Sequence, residues 1–136
     1  MNRENIEYMK SVMEQAQAAS FHMKAFQHNT SGEYEFAETV DQLHQCGNTA
    51  CFAGYLAISE KFKQDGGRTR NGVPVYRSFD DYYAVAEWLG ICNLLADKIV
   101  YGSYNFYDDL FDVPFDEVRP AHLIQVMDMI LDGTLK

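Results

Sequence analysis

At 136 residues the chain has room for one domain and is long enough to bury roughly two-thirds of the surface its unfolded form exposes. A composition of 47% hydrophobic and 23% charged residues excludes disorder throughout, and no apolar run approaches the roughly eighteen residues of a membrane span. A net charge of −9 argues against direct nucleic-acid binding, which relies on Lys and Arg replacing phosphate counterions, and points to a basic partner or simply to solubility.

The first segment, Asn2 to about Gln17, places Ile6, Met9, Met13 and Ala16 at three- and four-residue steps between charges, which predicts an amphipathic helix. Its polar start is unlike a secretory signal, and an odd number of cysteines fits reduced thiols, so a cytoplasmic protein is expected. FHMKAF, residues 21–26, suits a short extended segment as well as a continued helix. HNTSGEYE, 28–35, reads as a loop turning at Ser31-Gly32, and 36–43 as a short helical turn.

Residues 44–58, HQCGNTACFAGYLAI, form the stretch around which the chain is organised. From Ala50 to Ile58 no residue is charged and no polar face remains, so a central buried helix is expected. Ala50, Ala53, Gly54 and Ala57 make a small-residue stripe for close approach of a neighbouring helix. Gly47, Asn48 and Thr49 read as the helix start, with free amides that would suit an anion. Cys46 just outside it, with His44 two residues upstream as base, is the only arrangement resembling a nucleophile. No orienting acid stands at a recognisable distance, and a cysteine is more often simply packed. His44, Cys46 and Cys51, completed by Cys92 or His122, would make a zinc set, but paired ligands at short spacing are absent, so no metal is expected.

The string CGNTACFAG, with FHMKAF before it and AEWLGI (86–91) and FDEVRPAHLI (115–124) after it, resembles a family of small proteins of phages and bacterial genomes. These share a Cys-Gly-Thr/Ser-x-x-Cys-x-Ala-Gly core. The likeness covers residues 21–62 and 84–133; Asn48 departs from the Thr or Ser usual there, and 64–77 lies outside the pattern. It implies a helical protein of phage type, acting in the cytoplasm of a bacterial host, and carries across no activity and no catalytic residue.

Beyond the centre, Gly66-Gly67 and Asn71-Gly72 are turn dipeptides, and Val73 and Val75 flank a proline that suits an edge strand, so 66–77 is expected to be a small hairpin or loop. Lys61, Lys63, Arg68, Arg70 and Arg77 concentrate five of the eleven basic residues there. Ser78 and Asp81 look like a helix N-terminus, with helices following to Gly90 and from Asn93 to Gly102. The segment 101–117 interleaves Tyr101, Tyr104, Phe106, Tyr107 and Phe111 with Asp108 and Asp109, a composition common on recognition surfaces and also under loops that cap a core. Pro120 opens a last helix, expected to pack on the central one.

Together these features predict an all-α single domain of about five helices. The function expected is non-enzymatic binding that interferes with a host process. One route is a host protein held by Tyr101, Tyr104, Phe106, Tyr107, Asp108, Asp109 and Phe111. The other is a small phosphate-bearing signal held by Gly47, Asn48, Thr49, Arg68 and Arg70. No glycine-rich phosphate loop precedes a helix, and no cofactor is expected. The alternatives are a cysteine-dependent hydrolase or transferase using Cys46 and His44, and an assembly protein that forms a homo-oligomer.

Overall fold

The computed structural model describes residues 1–29, 36–44 and 48–136. Cys46, Gly47 and the expected Ser31-Gly32 turn lie outside them. Eight α-helices and two small sheets are present among the described residues, so the fold is α+β and the all-α expectation is corrected.

Helix α1, Arg3–Gln15, begins where the Asn2 side chain accepts the Asn5 amide at 3.1 Å, and it buries Ile6, Met9 and Met13 as its periodicity requires. Its partner is the last helix, α8 (Pro120–Leu131), and not α8 with the central helix as the sequence suggested. The two run in opposite senses: Arg3 donates to the Leu131 carbonyl at 2.9 Å, and Lys10 pairs with Asp128 at 2.8 Å.

After a 3-10 turn at Ala18–Ser20 the chain is extended, which decides the ambiguity of FHMKAF. Phe21 bridges Ala50 in parallel, the His22 amide donating to the Ala50 carbonyl and the Ala50 amide to the Ser20 carbonyl, and Cys51 donates its amide to the Ala25 carbonyl. Strand β1, His28–Asn29, pairs antiparallel with β2, Asn48–Thr49. Helix α2, Val40–Leu43, precedes β2 and is capped by Thr39.

The central helix α3, Phe52–Ile58, is buried at every position. It starts later than expected: Asn48 and Thr49 are strand, and Cys51 is the N-cap. It also stops at Ser59, whose extended backbone divides it from α4 (Glu60–Gln64) and whose hydroxyl donates to the Leu56 carbonyl at 2.8 Å. At Gly54 the small-residue stripe receives the extended backbone of Phe26. A methyl added at Gly54 would overlap the Phe26 carbonyl oxygen and lie 2.8 Å from its carbon.

The second sheet is β3 (Arg68–Arg70), β4 (Val73–Tyr76) and β5 (Phe79–Asp80), antiparallel in that order. Asn71 and Gly72, both at positive φ, make the two-residue turn that pairs Arg70 with Val73. Pro74 therefore sits in the central strand and not at an edge. It stands opposite Thr69, where a two-residue hairpin places no ladder bond, and β5 pairs only Val75 and Tyr76, so its missing donor is not needed. Ser78 lies in the β4–β5 turn, not at a helix cap.

The sheet packs through β4 on α3 and on α5 (Asp81–Leu89), which packs in turn on α6 (Asn93–Tyr101). Gly90 and Gly102 end these helices in the left-handed conformation, as their positions in the sequence suggest. Trp88 fills the space between the α1 and α4 side chains, edge-on to Tyr8 and Phe62, and its indole donates to Asp65 at 3.0 Å. The segment beyond α6 is a 3-10 turn (Ser103–Asn105), helix α7 (Phe106–Phe111) and a second 3-10 turn (Phe115–Glu117).

Candidate functional site

The extended segment 21–25, held along Ala50 and Cys51, forms one wall of a cleft of about 760 Å³. Ala18, Ala19, Phe21 and Ala25 supply apolar lining, Thr49 comes from β2, and Arg119 from the start of α8. His22 and Lys24 project from the extended wall, so that three basic side chains line one cavity in a chain of net charge −9. The volume falls in the range of small-molecule sites, as does a lining of apolar surface with few polar groups.

Local bonds fix these groups. The His22 Nδ1 accepts the Lys24 amide at 3.1 Å, which leaves its Nε2 as the donor of the neutral ring. Arg119 donates its backbone amide to the Nδ1 of His122 at 2.9 Å and one guanidinium nitrogen to the Val118 carbonyl at 3.2 Å. Among the described residues no carboxylate pairs with Arg119. Burial, then the neighbouring Arg119 charge, lowers the pKa of His122, whose ring also lies against Phe111. Lys24 has Asp116 at 3.7 Å, a loose exposed pair.

Of the anion-binding residues expected from sequence, Thr49 alone reaches this cleft among the described ones. The Asn48 side chain donates to the Gln42 carbonyl at 3.1 Å, while Arg70 pairs with Asp80 at 2.8 Å across the second sheet. Arg68 is exposed on the edge strand β3. The residues that replace them, His22, Lys24 and Arg119, come from FHMKAF and VRPAH; basic residues beside aromatics in the first and an arginine ahead of a helix-opening proline in the second were the available signals.

The expected protein-binding segment is split by the fold. Phe106 and Tyr107 are buried, Tyr107 donating its hydroxyl to the Ile99 carbonyl, so neither is free to contact a partner. Tyr101, Tyr104, Asp108 and Asp109 are exposed, and Phe111 is half-buried against Tyr107 and His122.

The thiol at the helix start is that of Cys51, and burial pushes its pKa up to about 11. His44 approaches Tyr55 with its Nε2 at 3.1 Å, and Tyr55 donates onward to the Ser20 carbonyl at 3.0 Å, so that imidazole nitrogen is engaged by the phenol. Cys46 lies outside the described residues. Among the described residues no group of three or more His, Cys, Asp or Glu is placed to hold a metal, and no helix is long and apolar enough to cross a membrane.

The Cys51 environment gives a pH dependence. Below its ordinary value of 9.0 the thiol is protonated folded or unfolded. Between there and about 11 the unfolded chain releases a proton that the folded chain keeps, so stability falls as pH rises. The slope reaches at most about 1.4 kcal/mol per pH unit. Urea unfolding of the wild type and of Cys51→Ala across this range is expected to show the variant lacking that component. In the native chain at neutral pH, iodoacetamide is expected to modify exposed Cys92 and leave Cys51 untouched until denaturation. Equal native labelling of the two would contradict the buried placement.

The structure thus defines a small α+β protein with one basic, apolar-lined cleft. Comparison with protein-family models, with curated proteins and with solved structures finds no match to this chain.

Proposed function

We infer that the protein is a non-enzymatic binding protein that sequesters a small phosphate-bearing molecule in the cleft between residues 18–25 and the start of α8. The observation that carries this reading is the lining itself: His22, Lys24 and Arg119 beside Phe21 and three alanines. A phosphate accepts charge-assisted hydrogen bonds from Lys24 and Arg119 and a further bond from the His22 Nε2–H, and the apolar lining suits a ring or sugar face. Arg119 is the principal anchor, because its guanidinium has no competing carboxylate among the described residues and presents a planar fork to phosphate oxygens. The phage-type setting, with a host signal as the captured molecule, rests on the resemblance of the CGNTACFAG core.

The test is calorimetric titration with a nucleoside, its monophosphate and inorganic phosphate at low salt. The monophosphate is expected to bind, the nucleoside to bind far more weakly, and Arg119→Ala to weaken monophosphate binding about 10- to 100-fold, the worth of one charged hydrogen bond. Affinity should decline as salt is raised, since the cleft is open to solvent. Equal binding of nucleoside and monophosphate, or an Arg119→Ala variant that binds as the wild type does, would defeat the reading.

A further inference from the structure

A second surface lies at the start of α5 and the end of α6, joined to the extended cleft wall through Phe26. Tyr82 and Tyr83 stack with ring centroids 4.2 Å apart; Tyr101 meets Tyr82 edge-on at 6.0 Å and Phe26 edge-on at 6.2 Å. Tyr83 and Tyr101 are each 42% exposed, on either side of the half-buried Tyr82 ring that both contact. The Tyr101 hydroxyl lies 2.6 Å from both carboxylate oxygens of Asp81, which also accepts the Tyr82 amide at 2.6 Å. Asp97, one helical turn before Tyr101 on α6, accepts the Ser103 hydroxyl at 2.9 Å.

Among the described residues neither carboxylate forms an ion pair. Arg3, Lys10, Lys24, Lys61, Arg70 and Arg77 pair with other acids, Lys63 donates to the Glu38 carbonyl, and the Lys98 ammonium lies 5.8 Å from the Tyr104 ring centre. The residues outside the described set include no Lys or Arg. Tyr82 is pushed up to about 12, first by Tyr83 and then by burial, with Asp97 and Asp81 adding smaller parts, and Tyr101 is raised first by burial and then by Asp81. Electron-rich ring faces and two unneutralised carboxylates on one exposed patch call for positive charge, since a cation gains from the ring quadrupole and from both acids at once.

We propose that the Tyr82, Tyr83 and Tyr101 face, with Asp81 and Asp97 behind it, docks a basic side chain of a protein partner. A guanidinium suits it best, because its plane stacks on one ring while its edge donors reach a carboxylate. Neither Tyr82 nor Tyr83 stood out in the sequence, although DDYY joins two acids to two phenols.

The experiment is NMR of the full chain with labelled tyrosine rings, titrated with acetyl-arginine amide and, separately, with acetyl-citrulline amide, its uncharged analogue of the same shape. Saturable shifts of the Tyr82, Tyr83 and Tyr101 rings with arginine, at least about 10-fold weaker with citrulline, are expected. Asp97→Asn should reduce the arginine response while melting temperature is retained. Equal responses to the two compounds would show a merely apolar patch and overturn the proposal, as would rings that do not move. A concentration-dependent dimer in sedimentation that disappears in Tyr83→Ala, without an arginine response, would assign the face to a second copy and overturn it equally.

Discussion

Replacing Tyr107 by Ala is expected to cost about 3–5 kcal/mol, whereas Tyr104→Ala should change stability by no more than about 0.5 kcal/mol. The two residues are three apart in one aromatic run, and only the fold separates them. Tyr107 is 1% exposed and touches Phe106, Phe111 and Phe115, with ring centroids at 5.0, 6.5 and 6.1 Å. Its truncation would leave a large cavity under α7 and remove the hydroxyl that ties α7 to the Ile99 carbonyl of α6. Tyr104 is 74% exposed, in a left-handed turn, with the Lys98 ammonium over its ring at 5.8 Å. Tyr107→Phe isolates the hydroxyl and should cost about 1 kcal/mol. Chemical denaturation of the three variants checks all of these. A mild Tyr107→Ala would mean that α7 detaches without disturbing the core, and would return Phe106 and Tyr107 to the recognition surface.

Why the segment divides between surface and core is a matter of period. Tyr104, Phe106, Tyr107 and Phe111 fit no single helical or alternating pattern, because the chain changes from a left-handed turn at Tyr104 and Asn105 to a six-residue helix within two positions. Elements with a sustained pattern were legible: α1 from Ile6, Met9 and Met13, α5 and α6 from their closing glycines, α8 from Pro120. The sheet was only half legible. Asn71-Gly72 announced the hairpin, but Ser78 and Asp81 imitate a helix cap, which concealed β5 and gave an all-α reading. The break at Ser59 has no signature in a run apolar on every side. The cleft was illegible for a different reason: His22, Lys24, Thr49 and Arg119 come from three distant segments, and the first three are brought together by long-range backbone pairing, the Phe21–Ala50 bridge, the β1–β2 ladder and the Cys51–Ala25 bond. The aromatic face shares that origin, since Asp81 and Tyr101 meet across twenty residues.

Gly54→Ala tests the joint between core and cleft. On helix propensity alone the change should stabilise α3 by up to about 1 kcal/mol. Packing opposes it, because the added methyl would overlap the carbonyl of Phe26 and sit 2.9 Å from the Ala50 Cβ. The obstacle is backbone, which no rotamer change relieves, and the backbone in question belongs to the segment carrying Phe21, His22 and Lys24. Packing therefore wins, with a net loss of about 3–5 kcal/mol. For a domain of this size that lowers Tm by about 10–20 °C. If α3 keeps its place, residues 21–26 must lift from it, breaking the bond from the Cys51 amide to the Ala25 carbonyl and displacing His22 and Lys24 from the cleft wall. The folded fraction of Gly54→Ala should then lose monophosphate binding, while the arginine response of Tyr82 and Tyr83 on α5 persists. An unchanged or raised Tm would show that the extended segment does not rest on the glycine, and the account of how the core positions the cleft would fail.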